Sequence, residues 1–162
     1  MTLYLDMDGV LADFDEAAGR ILGTDNTYRW EWVHGSDAFW EALNRHENFF
    51  FNLKPMPDAL FLWGNVRQLN PIILTALPNS RDIEVRVQKR MWVDKYLGRD
   101  VPMIFTHGAK NKAEHAKPKD VLVDDRLVAA KEWRARGGVY IHHTDATSTL
   151  RQLDLLPLEI AA

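Results

Sequence analysis

Residues 3–14, LYLDMDGVLADF, decide the fold. A short apolar run ends in two aspartates one residue apart, Asp6 and Asp8, which are followed by a glycine. The pattern predicts a strand whose carboxyl end delivers side chains to a sheet edge, where open α/β sheets bind ligands. Side chains two apart in an extended chain share a side, so these carboxylates would repel each other. A hard cation such as Mg²⁺ would offset the repulsion, and Gly9 would permit a sharp turn. In the alternative, the two acids merely cap a helix.

Length, composition and charge exclude several classes of function. The 162 residues suffice for one domain with a real core and a small insertion. The net charge of −3 gives no electrostatic reason to expect a nucleic-acid polymer or an acidic membrane surface as partner. The absence of cysteine excludes disulfides, zinc–thiolate sites and thiol nucleophiles. No leader pattern and no apolar run of about 18 residues is visible, so we expect a cytoplasmic protein without a membrane span.

Apolar strand patterns alternate with helical ones along the chain. After the first strand, strands are predicted at 71–75, 101–105, 121–123 and 139–141, and helices at 13–22, 58–68, 82–96, 127–136 and 147–153. This alternation implies βαβ units and a parallel sheet, an α/β fold with a three-layer α/β/α, Rossmann-like architecture. The carboxyl ends of parallel strands share one edge. We therefore expect five side chains in one crevice: Asp6, Asp8, Thr75, Asp124 and Asp125.

One segment does not fit the alternation. Residues 15–55 are predicted to form a small, mostly helical cap over the sheet edge, inserted into a core of residues 1–14 and 56–162. Asp58 is expected to cap the first core helix after the insertion.

Within the predicted cap, the helical pattern breaks over residues 24–35. Tyr28, Trp30 and Trp32 occupy alternate positions there. Ser36 then has the position of a helix N-cap before the next apolar run.

The predicted acids suit phosphoryl transfer, which needs a nucleophile, a cation and a proton donor. Asp6 can be the nucleophile that forms an aspartyl-phosphate. Asp8 can protonate the leaving oxygen and then deprotonate the attacking water. A metal would be held by Asp6, the backbone carbonyl of Asp8 and one of Asp124 and Asp125. The two later acids could instead cap the following helix.

Donors to the phosphate oxygens are expected from a threonine and a lysine. Thr75 offers a hydroxyl at the end of its strand, unless it is only a cap or turn residue. Lys110 and Lys112 both lie between the third and fourth strands, where an ammonium could restrain the nucleophile. Either lysine could also be an ordinary solvated surface residue.

These motifs resemble those of the haloacid dehalogenase superfamily of phosphotransferases over nearly the whole chain. DMDGV, Thr75 after an apolar strand, a lysine and the acid pair at 124–125 match its four motifs in order. Four segments are similar to the 5′(3′)-deoxyribonucleotidase family: DMDGVLADF (6–14), NFFFNLKPMPDA (48–59), WVDKYLG (92–98) and DVLVDDR (120–126).

The resemblance implies an Mg²⁺-dependent phosphatase that hydrolyses (deoxy)nucleoside monophosphates through an aspartyl-phosphate. It implies roles for four catalytic residues: Asp6 as nucleophile, Asp8 as acid and base, Thr75 as phosphate ligand and Lys112 as the motif lysine. It favours Asp125 over Asp124 as the direct metal ligand. Ala76 stands where animal members of the family have a phosphate-binding serine, so that donor is either missing here or replaced by a backbone N–H.

Aromatic side chains are the candidates for binding the base. Phe14, Trp30, Trp32 and Trp40, together with the phenylalanines at 49–51, could form a stacking slot. They could equally be the small core that keeps the insertion ordered. For Phe14, the family resemblance implies that it faces the base. Arg126 follows the acid pair and could pair with it or reach the substrate.

Other functions remain open at this stage. The same chemistry could act on another small phosphoester, such as a sugar or cofactor phosphate. A response-regulator receiver domain also gathers acids, a threonine and a lysine at strand ends, but its lysine comes last in the chain. A catalytically inactive binding module is disfavoured because every motif position holds a suitable residue. We expect a small nucleotide as the partner, with a homodimer possible.

Overall fold

A computed structural model describes residues 1–154 of the chain. The strands are β1 (Leu3–Leu5), β2 (Ile72–Leu77), β3 (Met103–His107), β4 (Val121–Asp124) and β5 (Val139–His142). The helices are α1 (Phe14–Leu22), α2 (Thr27–His34), α3 (Ser36–Asn44), α4 (Ala59–Val66), α5 (Asp82–Tyr96), α6 (Ala130–Ala135) and α7 (Ala146–Asp154). Two 3₁₀ segments, Arg67–Leu69 and Ala109–His115, complete the list. Within this part of the chain, no helix has both the length and the apolar character needed to cross a membrane.

The five strands form one sheet in the order β3-β2-β1-β4-β5, and every neighbouring pair is parallel. β1 is central, because Leu5 lies opposite Ile73 on one side and Val123 on the other. The Asp6 N–H donates to the Val123 carbonyl at 2.9 Å, so the residue after β1 is still tied to the sheet. The predicted α/β fold with a parallel sheet is confirmed.

Both faces of the sheet are covered. Leu3 and Leu5 pack in an apolar cluster with residues of α4, α5 and α7. Tyr4 points to the other face, where its ring meets the edge of Trp133 from α6 with centroids 5.5 Å apart. The helical layers follow from the alternation of side chains along buried strands. The result is a three-layer arrangement in which only the strand ends are open.

The insertion after β1 contains three helices. α1 begins where the Asp13 carboxylate accepts from the Glu16 N–H, and it ends at Gly23 in the left-handed region, with φ of +66°. The division into a core of 1–14 and 56–162 and a cap of 15–55 remains a prediction, and residues 155–162 lie outside the described residues.

The sequence predicted that the helical pattern breaks over residues 24–35. This prediction is wrong for most of the segment, because α2 occupies Thr27–His34. The Asn26 side chain caps α2 by accepting from the Arg29 N–H at 2.9 Å. Aromatic residues at alternate positions resemble a strand, and an exposed helix lacks the apolar stripe that would reveal it. Ser36 is the first residue of α3 rather than its cap, a position that Gly35 takes without a side-chain hydrogen bond.

Other predicted boundaries shift with tertiary contacts. Asp58 precedes α4, as predicted, but its carboxylate accepts from the Ala146 N–H at 2.7 Å and so anchors α7 instead. The helix predicted from residue 127 begins only at Ala130, and β2 and β3 continue past their predicted ends to Leu77 and His107.

His143 follows β5 and links the fold to pH. Its Nδ1 is hydrogen-bonded to the Thr149 hydroxyl at 2.8 Å in the protein interior. Burial lowers the pKa of His143 below its usual value of 6.5, against the opposing effect of the carboxylates Asp58 and Asp145. Below about pH 6.5 the unfolded chain therefore binds a proton that the folded chain resists. Through His143 alone, the free energy of unfolding falls as the pH drops through this range.

We expect His143→Gln to lose less stability than the unchanged protein between about pH 7.5 and about pH 5.5. Glutamine can still bond to the Thr149 hydroxyl but cannot take up a proton. Urea unfolding of both proteins at the two pH values measures the difference. Equal losses of unfolding free energy in both proteins would show that protonation of His143 does not lower the stability at acidic pH.

Candidate active site

Three carboxylates meet at the carboxyl ends of β1 and β4. Asp6 follows β1, Asp124 ends β4, and Asp125 comes next. One oxygen atom from each of them lies within 4.8 Å of the others. At such a separation each pair of like charges repels by about 3.5 kcal/mol at an effective dielectric constant of about 20. A cluster of this kind requires positive charge beside it.

Lys112 supplies part of that charge from the 3₁₀ segment Ala109–His115. Its side chain is buried, and Nζ lies 2.7 Å from Oδ2 of Asp6 and 2.7 Å from Oδ2 of Asp124. Burial alone would lower the pKa of Lys112, but the two carboxylates outweigh it and raise the pKa. Of the two candidate lysines, the structure brings Lys112 to the acids and leaves Lys110 exposed.

One lysine does not balance three carboxylates. Burial raises the pKa of Asp6 to about 8, and the neighbouring Asp124 and Asp125 add to the effect against the opposing charge of Lys112. Burial likewise raises the pKa of Asp125 to about 6, with Asp124 contributing. Burial is the larger cause of both shifts, and the neighbouring carboxylates add to it. A cation placed among these oxygens would relieve the imbalance.

The donor set fits a hard divalent cation such as Mg²⁺. All three groups offer oxygen, and Oδ1 of Asp125 is buried without a hydrogen-bond partner among the described residues. Both oxygens of Asp124 are already engaged, by Lys112 at 2.7 Å and by the Arg126 N–H at 2.9 Å. The unpartnered oxygen supports Asp125 as the more direct ligand of the pair, which stays a prediction.

Gly9 makes room for Asp125. It adopts a φ of +80°, in the left-handed region, and a Cβ atom added to it would lie 2.2 Å from Oδ2 of Asp125. The turn after β1 therefore lies directly against the Asp125 carboxylate, and only a residue without a side chain fits at position 9.

The second acid of the first motif is held by a lysine that the sequence analysis missed. Lys89, in α5, is fully buried. Its Nζ donates to Oδ2 of Asp8 at 2.7 Å, to the Thr75 hydroxyl at 2.8 Å and to the Ala76 carbonyl at 2.8 Å. Oδ1 of Asp8 has no partner in the described part of the chain.

A signal for Lys89 was present in the sequence. Val85, Gln88, Lys89 and Trp92 lie at the spacing of one helix face, and all four are buried. A lysine within an apolar stripe is almost never fully buried unless it is paired. Such a position therefore indicates an acid partner elsewhere in the fold.

Thr75 lies within β2, two residues before its end at Leu77 rather than at the strand end as predicted, and it does not line the open cavity. Its side chain is completely buried, and its hydroxyl accepts from Lys89. Lys89 itself lines the cavity, and so does Ala76. The direct role of Thr75 in binding phosphate stays a prediction.

A cavity of about 280 Å³ opens beside the acids and extends beneath the insertion. Its lining includes Asp6, Asp8, Lys112 and Asp125 at one end, and four of the six predicted substrate-binding residues: Phe14, Trp40, Ala76 and Arg126. Phe14 lies within an aromatic group, with centroids 5.5 Å from Phe49, 6.1 Å from Phe50 and 6.1 Å from Trp40. One wall is thus charged and another is aromatic.

Trp30 and Trp32, the other two predicted substrate-binding residues, do not line this cavity. Trp32 is 86% exposed, and Trp30 packs its ring against His34 and Phe39. Residues at alternate positions share a side only in an extended chain. In a helix, two residues separated by two positions lie on nearly opposite faces.

Arg126 lines the cavity and contacts α2. Its guanidinium lies 5.5 Å from the ring centroid of Tyr28 on α2, a cation–π contact between the insertion and the loop after β4. The backbone of the same residue is fixed by Asp124 and by the Tyr140 hydroxyl, which donates to the Arg126 carbonyl.

Comparisons with known proteins support the fold. No protein-family model matches the chain, and no curated protein does. Among solved structures, it is similar to a hydrolase from Streptococcus pneumoniae TIGR4, with 12% identity, a TM-score of 0.53 and coverage of 95% of this chain and 98% of the other. It is also similar to a putative β-phosphoglucomutase from Thermotoga maritima, with 17% identity, a TM-score of 0.51 and coverage of 96% and 100%. At these identities the likeness shows the fold alone, which is the predicted Rossmann-like α/β fold with a parallel sheet.

We expect Gly9→Ala to weaken Mg²⁺ binding by about tenfold or more, because the new Cβ must displace the Asp125 carboxylate. Isothermal titration with Mg²⁺ measures the change. Gly23→Ala at the end of α1 is the matched control, since Gly23 also has a positive φ, +66°, and a Cβ there meets nothing within 4 Å. Unchanged affinity in Gly9→Ala would remove Asp125 from the ion site.

Proposed function

We propose that the chain is an Mg²⁺-dependent phosphatase of the haloacid dehalogenase superfamily that hydrolyses (deoxy)nucleoside monophosphates. The observation that carries the proposal is the close approach of Asp6, Asp124 and Asp125 around Lys112, at the end of a cavity walled by aromatic rings. The similar solved structures include a hydrolase and a putative phosphomutase, and both descriptions agree with chemistry on phosphate esters.

In the proposed reaction, a carboxylate oxygen of Asp6 attacks phosphorus and the bond to the leaving oxygen breaks. Asp8 gives its proton to that leaving oxygen, and the nucleoside departs. Asp8 then takes a proton from water, which attacks the aspartyl-phosphate and releases inorganic phosphate. Oδ2 of Asp8 is held by Lys89, so the carboxyl group has a defined position and one unpartnered oxygen for the proton.

Positive charge around the phosphate comes from two lysines and an ion. Lys112 restrains Asp6, and Lys89 also lines the cavity, where its Nζ donates to the Ala76 carbonyl. Asp6, Asp125 and the backbone of Asp8 would hold Mg²⁺, which would supply further charge neutralisation for the phosphate oxygens. Placed charges of this kind account for most of the catalysis in phosphoryl transfer.

The aromatic wall of the cavity favours a substrate whose leaving group carries a planar ring, such as a nucleobase, rather than a sugar phosphate. Phe14 and Trp40 line the cavity, and Phe50 stacks on Trp40 with planes 22° apart. Every nucleobase has a π-face that can stack on such rings. A sugar phosphate, which has no aromatic ring, would gain little from this wall.

A panel of monophosphates, assayed for phosphate release with Mg²⁺ and with EDTA, tests the proposal. We expect nucleoside monophosphates to give the highest kcat/KM and EDTA to abolish turnover. Sugar phosphates as the best substrates would refute the nucleotide assignment, and full activity in EDTA would refute the metal requirement.

We expect Asp6→Asn to lower kcat by at least about 10³-fold while the protein stays folded, because asparagine has nearly the same shape but is no nucleophile. Phosphate release and far-ultraviolet circular dichroism measure the two effects. Robust Mg²⁺-dependent hydrolysis by this variant would refute the assigned nucleophile.

We expect Phe14→Ala to raise KM for nucleoside monophosphates several-fold more than KM for p-nitrophenyl phosphate, because the nucleoside uses more of the aromatic wall. Steady-state kinetics on both substrates give the comparison. Equal increases on both substrates would remove Phe14 from the base pocket.

A further inference from the structure

Gln88 occupies an unusual position next to the catalytic constellation. It lies in the buried face of α5 and is only 8% exposed, yet it touches none of the acids. Its Oε1 accepts from the Phe50 N–H at 3.0 Å and from the Phe51 N–H at 3.4 Å. Both N–H groups belong to a segment without helix or strand, so this side chain satisfies donors that secondary structure does not.

The segment that Gln88 contacts, around residues 50–53, connects the insertion to the core. One helical turn along α5, the Trp92 indole N–H donates to the Leu53 carbonyl at 2.8 Å. Between these two attachments, Lys89 places its ammonium 4.9 Å from the ring centroid of Phe50. Gln88, Lys89 and Trp92, all on the buried face of α5, thus hold this segment in place, and Lys89 also lies at the phosphate end of the cavity.

Phe50 connects this attachment to substrate recognition. Its ring lines the cavity and lies 6.1 Å from the Phe14 ring and 6.5 Å from that of Trp40. Movement of the Phe50 backbone would therefore change the aromatic wall without moving Asp6 or Lys112, which belong to other elements.

We propose that Gln88 is a positioning residue that sets the shape of the leaving-group pocket by fixing the backbone of Phe50. The inference rests on the proposed function in taking the aromatic wall as the place where the leaving group binds. If Gln88 has this role, substrate selectivity depends partly on α5, a helix of the core, and not on the insertion alone.

The test uses Gln88→Met, which keeps the length of the side chain and loses the acceptor, and Gln88→Glu, which keeps an acceptor. Gln152→Met on the exposed face of α7 is the control. We expect Gln88→Met to speed amide hydrogen exchange at Phe50 and Phe51 on the order of tenfold. It should raise KM for nucleoside monophosphates about fivefold or more and leave the kinetics with acetyl phosphate, which has no ring, within about twofold. Gln88→Glu should keep both the slow exchange at Phe50 and Phe51 and the KM of the unchanged protein.

Two results would overturn the assignment: unchanged exchange at Phe50 in Gln88→Met, or equal losses on nucleotides and acetyl phosphate. Faster exchange with an unchanged KM would also overturn it, because the side chain would then serve only stability. If the unchanged protein hydrolyses no nucleotide, the proposed function fails, and the exchange measurement still decides whether Gln88 fixes the segment.

Discussion

Ion pairs to two buried lysines hold the acidic end of the sheet together. Lys112 joins the acids after β1 and β4, and Lys89 joins Asp8 to the end of β2. Removing one partner from a buried ion pair typically costs about 3–5 kcal/mol, a large part of the stability of a domain this size. The same contacts that aim the carboxylates therefore also stabilise the edge of the sheet at which they lie.

The two halves of the cavity have separate origins in the chain. Strand ends and core helices provide the charged half, while α1, α3 and the segment after them provide most of the aromatic half. Charge must be placed to within a fraction of an ångström to act on a reacting atom, and a parallel sheet covered on both faces gives that rigidity. An aromatic wall tolerates more variation, because stacking depends on area and not on one direction.

The sequence predicted the parallel sheet and its acidic edge because buried strands and strand-end aspartates leave local patterns. It predicted α5 over residues 82–96 in full. It did not predict α2, because an exposed helix without an apolar stripe leaves no helical pattern, and Trp30 and Trp32 on this helix do not line the cavity. It also missed Lys89, since the partner of a buried lysine lies far away in sequence and only the fold brings the two together.

The position of β1 has a consequence for biosynthesis. Its neighbours in the described sheet are β2 and β4, and both leave the ribosome later than β1 does. Until then its apolar residues stay unpaired, and unpaired apolar strands are prone to aggregate. Asp6 and Asp8 directly follow this strand, so the charges that serve the folded site would also keep the nascent segment hydrated while it waits for its partners.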